Sequence, residues 1–350
     1  MIFLAAGGHH DFLPPLSFPS EPLTHPVMKK TLFILTVLSS LLLSCSQDDA
    51  ESMRIIRFQA FDYVPSPTRG TQVSAAAITS YGVSCAAYPS GSSYTSAGCG
   101  SYFFDEAITA ASGTSAYYWP ASSNKVSFYA YTPYGNGSLT LSSLSTKTGY
   151  PVYSYTVPQA VASQVDFMTA DTVDIVSPAA TLPVRLYFRH RLVDLRFKVT
   201  NQHPSLPLTV KSISVVGMKY AGTFENPSWT LTGSANTVDT HPFYFAPNTV
   251  VSASATVDIT STANHFMVLP QTIYAGTTFL KIVTTESGVD RVYTHILPSS
   301  LTFIMSKSYC FTLILGDGVL IVDEDTSVTD WVQDSQTVSN TGVSVNDWEE

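Results

Sequence analysis

The run Val184-Arg185-Leu186-Tyr187-Phe188-Arg189-His190-Arg191-Leu192-Val193-Asp194-Leu195-Arg196-Phe197-Lys198-Val199-Thr200 is the longest continuous strand signal in the chain. Leu186, Phe188 and Leu192 occupy even positions, and Val193, Leu195, Phe197 and Val199 occupy odd ones. Successive strand residues point to opposite faces, so this change of phase moves the apolar set from one face to the other. A bulge or a break near Arg191 absorbs the flip. Arg185, Arg189, Arg191, Arg196 and Lys198 concentrate in the same stretch. Such a cluster reads either as an anion-binding patch or as the charged outer face of a sheet, and the net charge of −9 favours the sheet face.

Outward from this stretch the same period recurs. Arg54 to Phe61 sets Ile56, Phe58 and Ala60 against Arg57, Gln59 and Phe61. Lys125 to Tyr131 sets Val126, Phe128 and Ala130 against Ser127, Tyr129 and Tyr131. Further strand runs read at 78–88, 208–216, 265–269, 277–285, 291–296, 309–315 and 319–322, with Gly, Pro, Asn, Asp and Ser between them. Helical periodicity is weak throughout. The predicted class is therefore all-β, built from β-sandwiches. The Pro/Ala/Ser-rich stretch 177–183 marks a domain boundary, giving an N-terminal sandwich over 54–182 and a C-terminal one over 183–350.

Composition agrees. Only 12% of the 350 residues are charged, against about 25% in an average domain. Tyr and Phe, at 19 each, exclude a disordered acidic chain. The acidic balance excludes a general nucleic-acid binder. Charge is segregated: the chain from Asp317 onward carries nine acidic residues and no basic one.

The N-terminus carries an export pattern. Met28-Lys29-Lys30 precedes an uncharged run from Thr31 to Leu43, the length of a signal-peptide core and too short to span a bilayer comfortably. Met28 is the expected start, with residues 1–27 a non-native extension and 28–44 the signal peptide. The run ends in Leu42-Leu43-Ser44-Cys45, which resembles a bacterial lipobox. Cys45 is the expected lipidation site, because its sulfur can take the thioether and several acyl chains hold where one does not. An acidic tether over 45–53 follows (Asp48, Asp49, Glu51) and resembles a surface-export signal, so an outer-membrane lipoprotein displayed at the cell surface is expected.

Three cysteines remain. Cys85 and Cys99 flank a Gly/Ser-rich loop and are candidates for a disulfide, which export would permit. Closing such a loop would contribute about 3 kcal/mol if unstrained. Cys310, in an alternating run, reads as a small buried hydrophobe. Asp171-Thr172-Val173 matches a short O-glycosylation sequon, which makes Thr172 a candidate site.

Several blocks, in order, carry a family likeness. They are 58–61 leading to Thr68-Arg69-Gly70-Thr71, Tyr118-Trp119-Pro120 with 126–134, and 166–170 preceding 186–199. Gly222-Thr223-Phe224 with Trp229 follows, then Val268-Leu269-Pro270-Gln271-Thr272, Lys307-Ser308-Tyr309 and Val328-Thr329-Asp330-Trp331. Together with the lipobox they resemble the Bacteroidales fimbrillin family. That resemblance implies two tandem transthyretin-like Greek-key β-sandwiches and an exported subunit of surface fimbriae. It implies assembly with other fimbrial subunits by strand addition, after a protease removes the N-terminal strand. Carried onto this sequence, Arg69-Gly70 is the candidate cleavage bond, in a Pro/Thr/Gly loop that a protease can reach. Val343, Val345 and Trp348 mark the candidate C-terminal donor strand, with Val343 and Val345 alternating against Ser344 and Asn346. The ending is doubled, since Val345-Asn346-Asp347-Trp348 echoes 328–331.

No P-loop, HExxH, nucleophile elbow or dinucleotide fingerprint occurs, and the five histidines after Met28 are isolated in sequence, so no enzyme, cofactor or metal site is expected. His190 and His265 read as satisfying local strand contacts. The alternative to a fimbrial subunit is a monomeric surface lipoprotein that binds glycans, with Tyr117-Tyr118-Trp119 stacking on sugars; such aromatics more often fill a core.

Overall fold

The computed structural model describes residues 54–62, 78–97, 100–120, 124–144, 149–176, 182–260, 264–316 and 318–331. Among these residues the structure is almost wholly β, and its helical content is one turn at Tyr94–Ala97 and one 3-10 turn at Val161–Ser163.

The strands of the N-terminal half are β1 (Ile55–Asp62), β2 (Ser80–Pro89), β3 (Phe103–Thr109), β4 (Thr114–Tyr118), β5 (Asn124–Thr132), β6 (Leu139–Leu144), β7 (Pro151–Thr156) and β8 (Met168–Val176). After them come β9 (Val184–His190), β10 (Val193–Asn201), β11 (Leu208–Val215), β12 (Lys219–Glu225), β13 (Ser228–Ala235), β14 (Phe243–Phe245), β15 (Thr249–Val251) and β16 (Thr256–Asp258). The last are β17 (Phe266–Val268), β18 (Thr272–Ile273), β19 (Thr278–Glu286), β20 (Val289–Ile296), β21 (Leu301–Thr302), β22 (Lys307–Gly316) and β23 (Val319–Asp330).

The phase flip in 184–200 is where the chain changes core. β9 ends at His190 and β10 begins at Val193, so the flip is absorbed by a break at Arg191-Leu192. Leu186 and Phe188 lie in one apolar cluster with Ile56, Phe58, Val83 and Phe128. Leu192, Leu195, Phe197 and Val199 lie in another with Val210, Ile213, Leu280 and Leu313.

The first core sits under a seven-stranded sheet in the order β3-β2-β5-β8-β9-β1-β4. The second lies between two sheets, β16-β10-β22-β23 and β14-β11-β19-β20, with β17 on β10 and β15 on β11. Both contain a parallel pair, β1 on β9 and β10 on β22.

Two features differ from a plain tandem cut at 182/183. First, β9 lies beyond that cut, yet pairs with β1 and β8 in the first sheet. Second, the hairpin β6–β7 leaves the N-terminal half and joins β12–β13 in a four-stranded sheet, β13-β12-β7-β6. β7 runs antiparallel to β12, with Val152 opposite Glu225 and Thr156 opposite Ala221. Tyr153, Tyr155, Val157, Val161 and Phe167 therefore pack into the second core. The apolar face of β7 is buried because it has a second sheet to face, and that sheet comes from the other half of the sequence.

Candidate strand-exchange groove

β1 is the first described strand, and it occupies an interior position. On one side it runs parallel to β9, from Phe58 opposite Val184 to Asp62 opposite Phe188. On the other it runs antiparallel to β4, with Ile55 opposite Tyr118 and Arg57 opposite Thr114 across a bulge. Period-two alternation places Ile56 and Phe58 inward, at 0% and 4% exposure, while Ile55, Arg57 and Gln59 face solvent. The Phe58 ring meets Phe128 edge-on at 5.1 Å. Burying two such side chains contributes about 1.5–3 kcal/mol each.

Further contacts seat the strand. The Trp119 amide donates to the Arg54 carbonyl at 2.8 Å, and Ser115 Oγ donates to the Ile56 carbonyl at 3.0 Å. The Phe58 amide donates to the Gly113 carbonyl at 2.6 Å. Gly113 has φ +59°, and a Cβ there would stand 2.1 Å from the Phe58 carbonyl oxygen. Only glycine allows both that turn and that approach.

Among the described residues, β4 has its only ladder with β1, and β3, the other end of the sheet, has its only ladder with β2. The gap between β3 and β4 is closed by side chains. Phe103 stacks on Tyr117 at 4.3 Å, Tyr102 Oη donates to the Tyr118 carbonyl at 2.6 Å, and the Ala116 amide donates to Glu106 at 3.2 Å. If β1 were absent, β9 would keep its ladder to β8 and β4 would have none. The groove so exposed is lined by the partners of Ile56 and Phe58.

At the far end of β9 the chain is fastened. His190 Nδ1 lies 2.6 Å from Asp166 Oδ2, and its ring stacks on Trp331 at 4.2 Å with planes 8° apart. Arg191 is buried: its Nε donates to Thr169 Oγ1 at 2.6 Å, and its guanidinium lies 5.0 Å over the Phe224 ring. Burial pushes the Arg191 pKa down to about 10, with Asp171 acting against the fall, so the group stays charged at neutral pH. Trp229 Nε1 donates to the Arg191 carbonyl at 2.7 Å.

Beyond the break, Asp194 is fully buried. It accepts from Arg196 Nε and Ser308 Oγ at 2.7 Å each and lies 3.1 Å from His265 Nδ1. Burial raises its pKa, and the His265, Ser308 and Arg196 interactions outweigh that, so the carboxyl titrates below the ordinary range.

A sequence profile described as fimbrillin-like matches residues 69–331. The chain belongs to the fimbrillin-like family. Among solved structures, it is similar to a fimbrial protein from Bacteroides vulgatus at 16% identity, over 80% of this chain and 100% of that one, with a TM-score of 0.56. A fimbrial assembly protein from Parabacteroides distasonis matches at 12% identity over 79% and 98% of the two chains, with a TM-score of 0.35. The first likeness bears on the fold alone. No curated protein matches.

In this fimbrillin-like chain, Cys45, Arg69, Gly70, Cys99, Val343, Val345 and Trp348 lie outside the described residues. Cys85 is buried in β2 with its sulfur 3.6 Å from the Ala86 carbonyl. Thr172, half-buried in β8, donates its hydroxyl to the Arg185 carbonyl at 2.8 Å.

The basic cluster of 185–198 is dispersed: Arg185, Arg189 and Lys198 are exposed, while Arg191 lies inside. Trp119 does not form a sugar platform with its neighbours. It is buried edge-on against Phe128, and Tyr118 is left exposed. His190 and His265 each meet one carboxylate, and no group of three metal-ligating side chains occurs among the described residues. Gly113 escaped sequence reasoning, although its place in a short turn between two strand runs was a usable signal.

Proposed function

We propose that this chain is a structural and adhesive subunit of cell-surface fimbriae, exported as a lipoprotein on Cys45 and assembled by β-strand exchange. The observation that carries the reading is the seat of β1. Its inward side chains complete the first core, and along the chain it is followed by the segment 63–77, which contains Arg69-Gly70. The family match begins at Arg69, after that strand.

Cleavage after Arg69 releases β1. An extended segment of another copy then takes its place, running parallel to β9 and antiparallel to β4. Backbone hydrogen bonds supply the affinity, and the sites of Ile56 and Phe58 supply the register. Leaving the groove empty would expose apolar core and an unpaired edge, so filling it is favoured. The segment around Val343, Val345 and Trp348 is the proposed donor. The fimbrillin-like family match fits a role among other fimbrial subunits.

Deletion of residues 340–350 tests this. The expected result is a folded monomer that no longer forms SDS-resistant ladders on incubation with an arginine-specific protease. Unchanged ladders would refute the donor role.

A further inference from the structure

β9 is shared by two structures that are far apart in sequence. From Val184 to Phe188 it forms one wall of the β1 seat. Two residues beyond Phe188, on the same inward-facing row, His190 stacks on Trp331. Trp331 is buried, follows directly on β23, and is the last described residue before the C-terminal segment 332–350.

The contact is reinforced through Ser306. The Ser306 hydroxyl donates to the His190 carbonyl at 2.5 Å, its amide donates to the Leu192 carbonyl at 2.9 Å, and its own carbonyl accepts from the Trp331 amide at 3.0 Å. Lys307, the next residue, pairs with Asp330. Asp166 Oδ2 lies beside Nδ1 of the imidazole.

The row Leu186-Phe188-His190 thus runs without interruption from the side chains that contact β1 to the indole that ends β23. We propose that β9 couples the two: occupancy of the β1 seat governs how firmly Trp331 is held, and so how firmly the base of the C-terminal segment is fixed. With the seat filled, Leu186 and Phe188 are packed from the β1 side, His190 lies flat on Trp331, and the end of β23 is pinned. With the seat empty, the row loses its packing partner, His190 loses its fixed plane, and the end of β23 loosens. The consequence for assembly rests on the strand-exchange reading: a subunit whose seat has just been vacated holds Trp331 and the end of β23 less firmly. The coupling itself does not require assembly, and it is measured in the monomer.

Hydrogen exchange on the full chain tests it. Phe58→Ala thins the seat without cutting the chain. The expected result is exchange about tenfold faster in 319–331, in the middle of the range that couplings between sites span, with 278–296 unchanged. Because coupling is reciprocal, Trp331→Ala should speed exchange in 55–62 and 184–190 by a similar factor.

Ile108→Ala is the control, since it lies in the same core on β3, four places from β9 in the strand order. It should leave 319–331 unchanged. Phe58→Leu serves in the same comparison if Phe58→Ala does not fold. Exchange in 319–331 that does not respond to the Phe58 variants, or that responds equally to Ile108→Ala, would overturn the coupling. Ladder formation is read separately, so strand exchange can fail while the coupling stands, or the reverse.

Discussion

The amide of Phe58 donates to the carbonyl of Gly113 at 2.6 Å, while the carbonyl of Phe58 leaves no room for a side chain on that glycine. The N-terminal strand is therefore seated against a turn whose close approach to the Phe58 carbonyl only glycine permits. Gly113→Ala meets both a positive φ and a close approach to backbone. Such strain costs on the order of 1–3 kcal/mol, and here it falls on the β1–β4 contact. Thermal denaturation should show the loss, and limited proteolysis should show earlier cutting within 54–69 than in the parent chain.

Phe58 fills the same seat from the inside. Phe58→Ala leaves a cavity beside Phe128, and large-to-small changes of this kind cost about 3–5 kcal/mol. Urea denaturation should report a loss of that size. A loss under about 1 kcal/mol would mean that the first core does not depend on β1.

Asp194 tests the second core and its pH dependence. Its carboxyl titrates below its ordinary value of 3.8 in the folded protein, so the unfolded chain takes up protons first as the pH falls. The stabilisation is complete above that ordinary value and is lost as the pH falls through the lower folded one. Asp194→Ala also leaves Arg196 and His265 facing an empty site, and breaking a buried pair costs about 3–5 kcal/mol. Stability against pH should therefore be flatter below pH 3.8 in the variant than in the parent.

Arg191 separates packing from charge. Methionine keeps an apolar stem that reaches about as far as Nε and removes the cation, and with it the desolvation cost that burial imposes. Lysine keeps the charge but loses the guanidinium over Phe224 and the Nε donor to Thr169. The expected order of stability in urea is Arg191→Met above Arg191→Lys.

The particular residues explain what the sequence disclosed. The flip between Phe188 and Val193 was legible because alternation is a local property, and a break at Arg191 is what the structure has. The pairing of β7 with β12 was not legible, since it joins Tyr155 to Gly222 across a long intervening chain and neither strand names its partner. The burial of Arg191 was hidden for the same reason. An arginine among charged neighbours reads as surface, and the Phe224 ring that receives it lies on another sheet. In the triplet 117–119, alternation pointed Tyr117 and Trp119 to the same side, yet the choice of core over ligand needed Phe103 and Phe128 to be in place.

In the proposed assembly, β1 holds a seat meant for another copy. N-terminal sequencing of chains recovered from SDS-resistant ladders, beside chains recovered as monomer, tests it most directly. Assembled subunits should begin at Gly70 and lack 54–62, while monomers retain that strand. Ladders whose subunits still carry 54–62 would contradict the account.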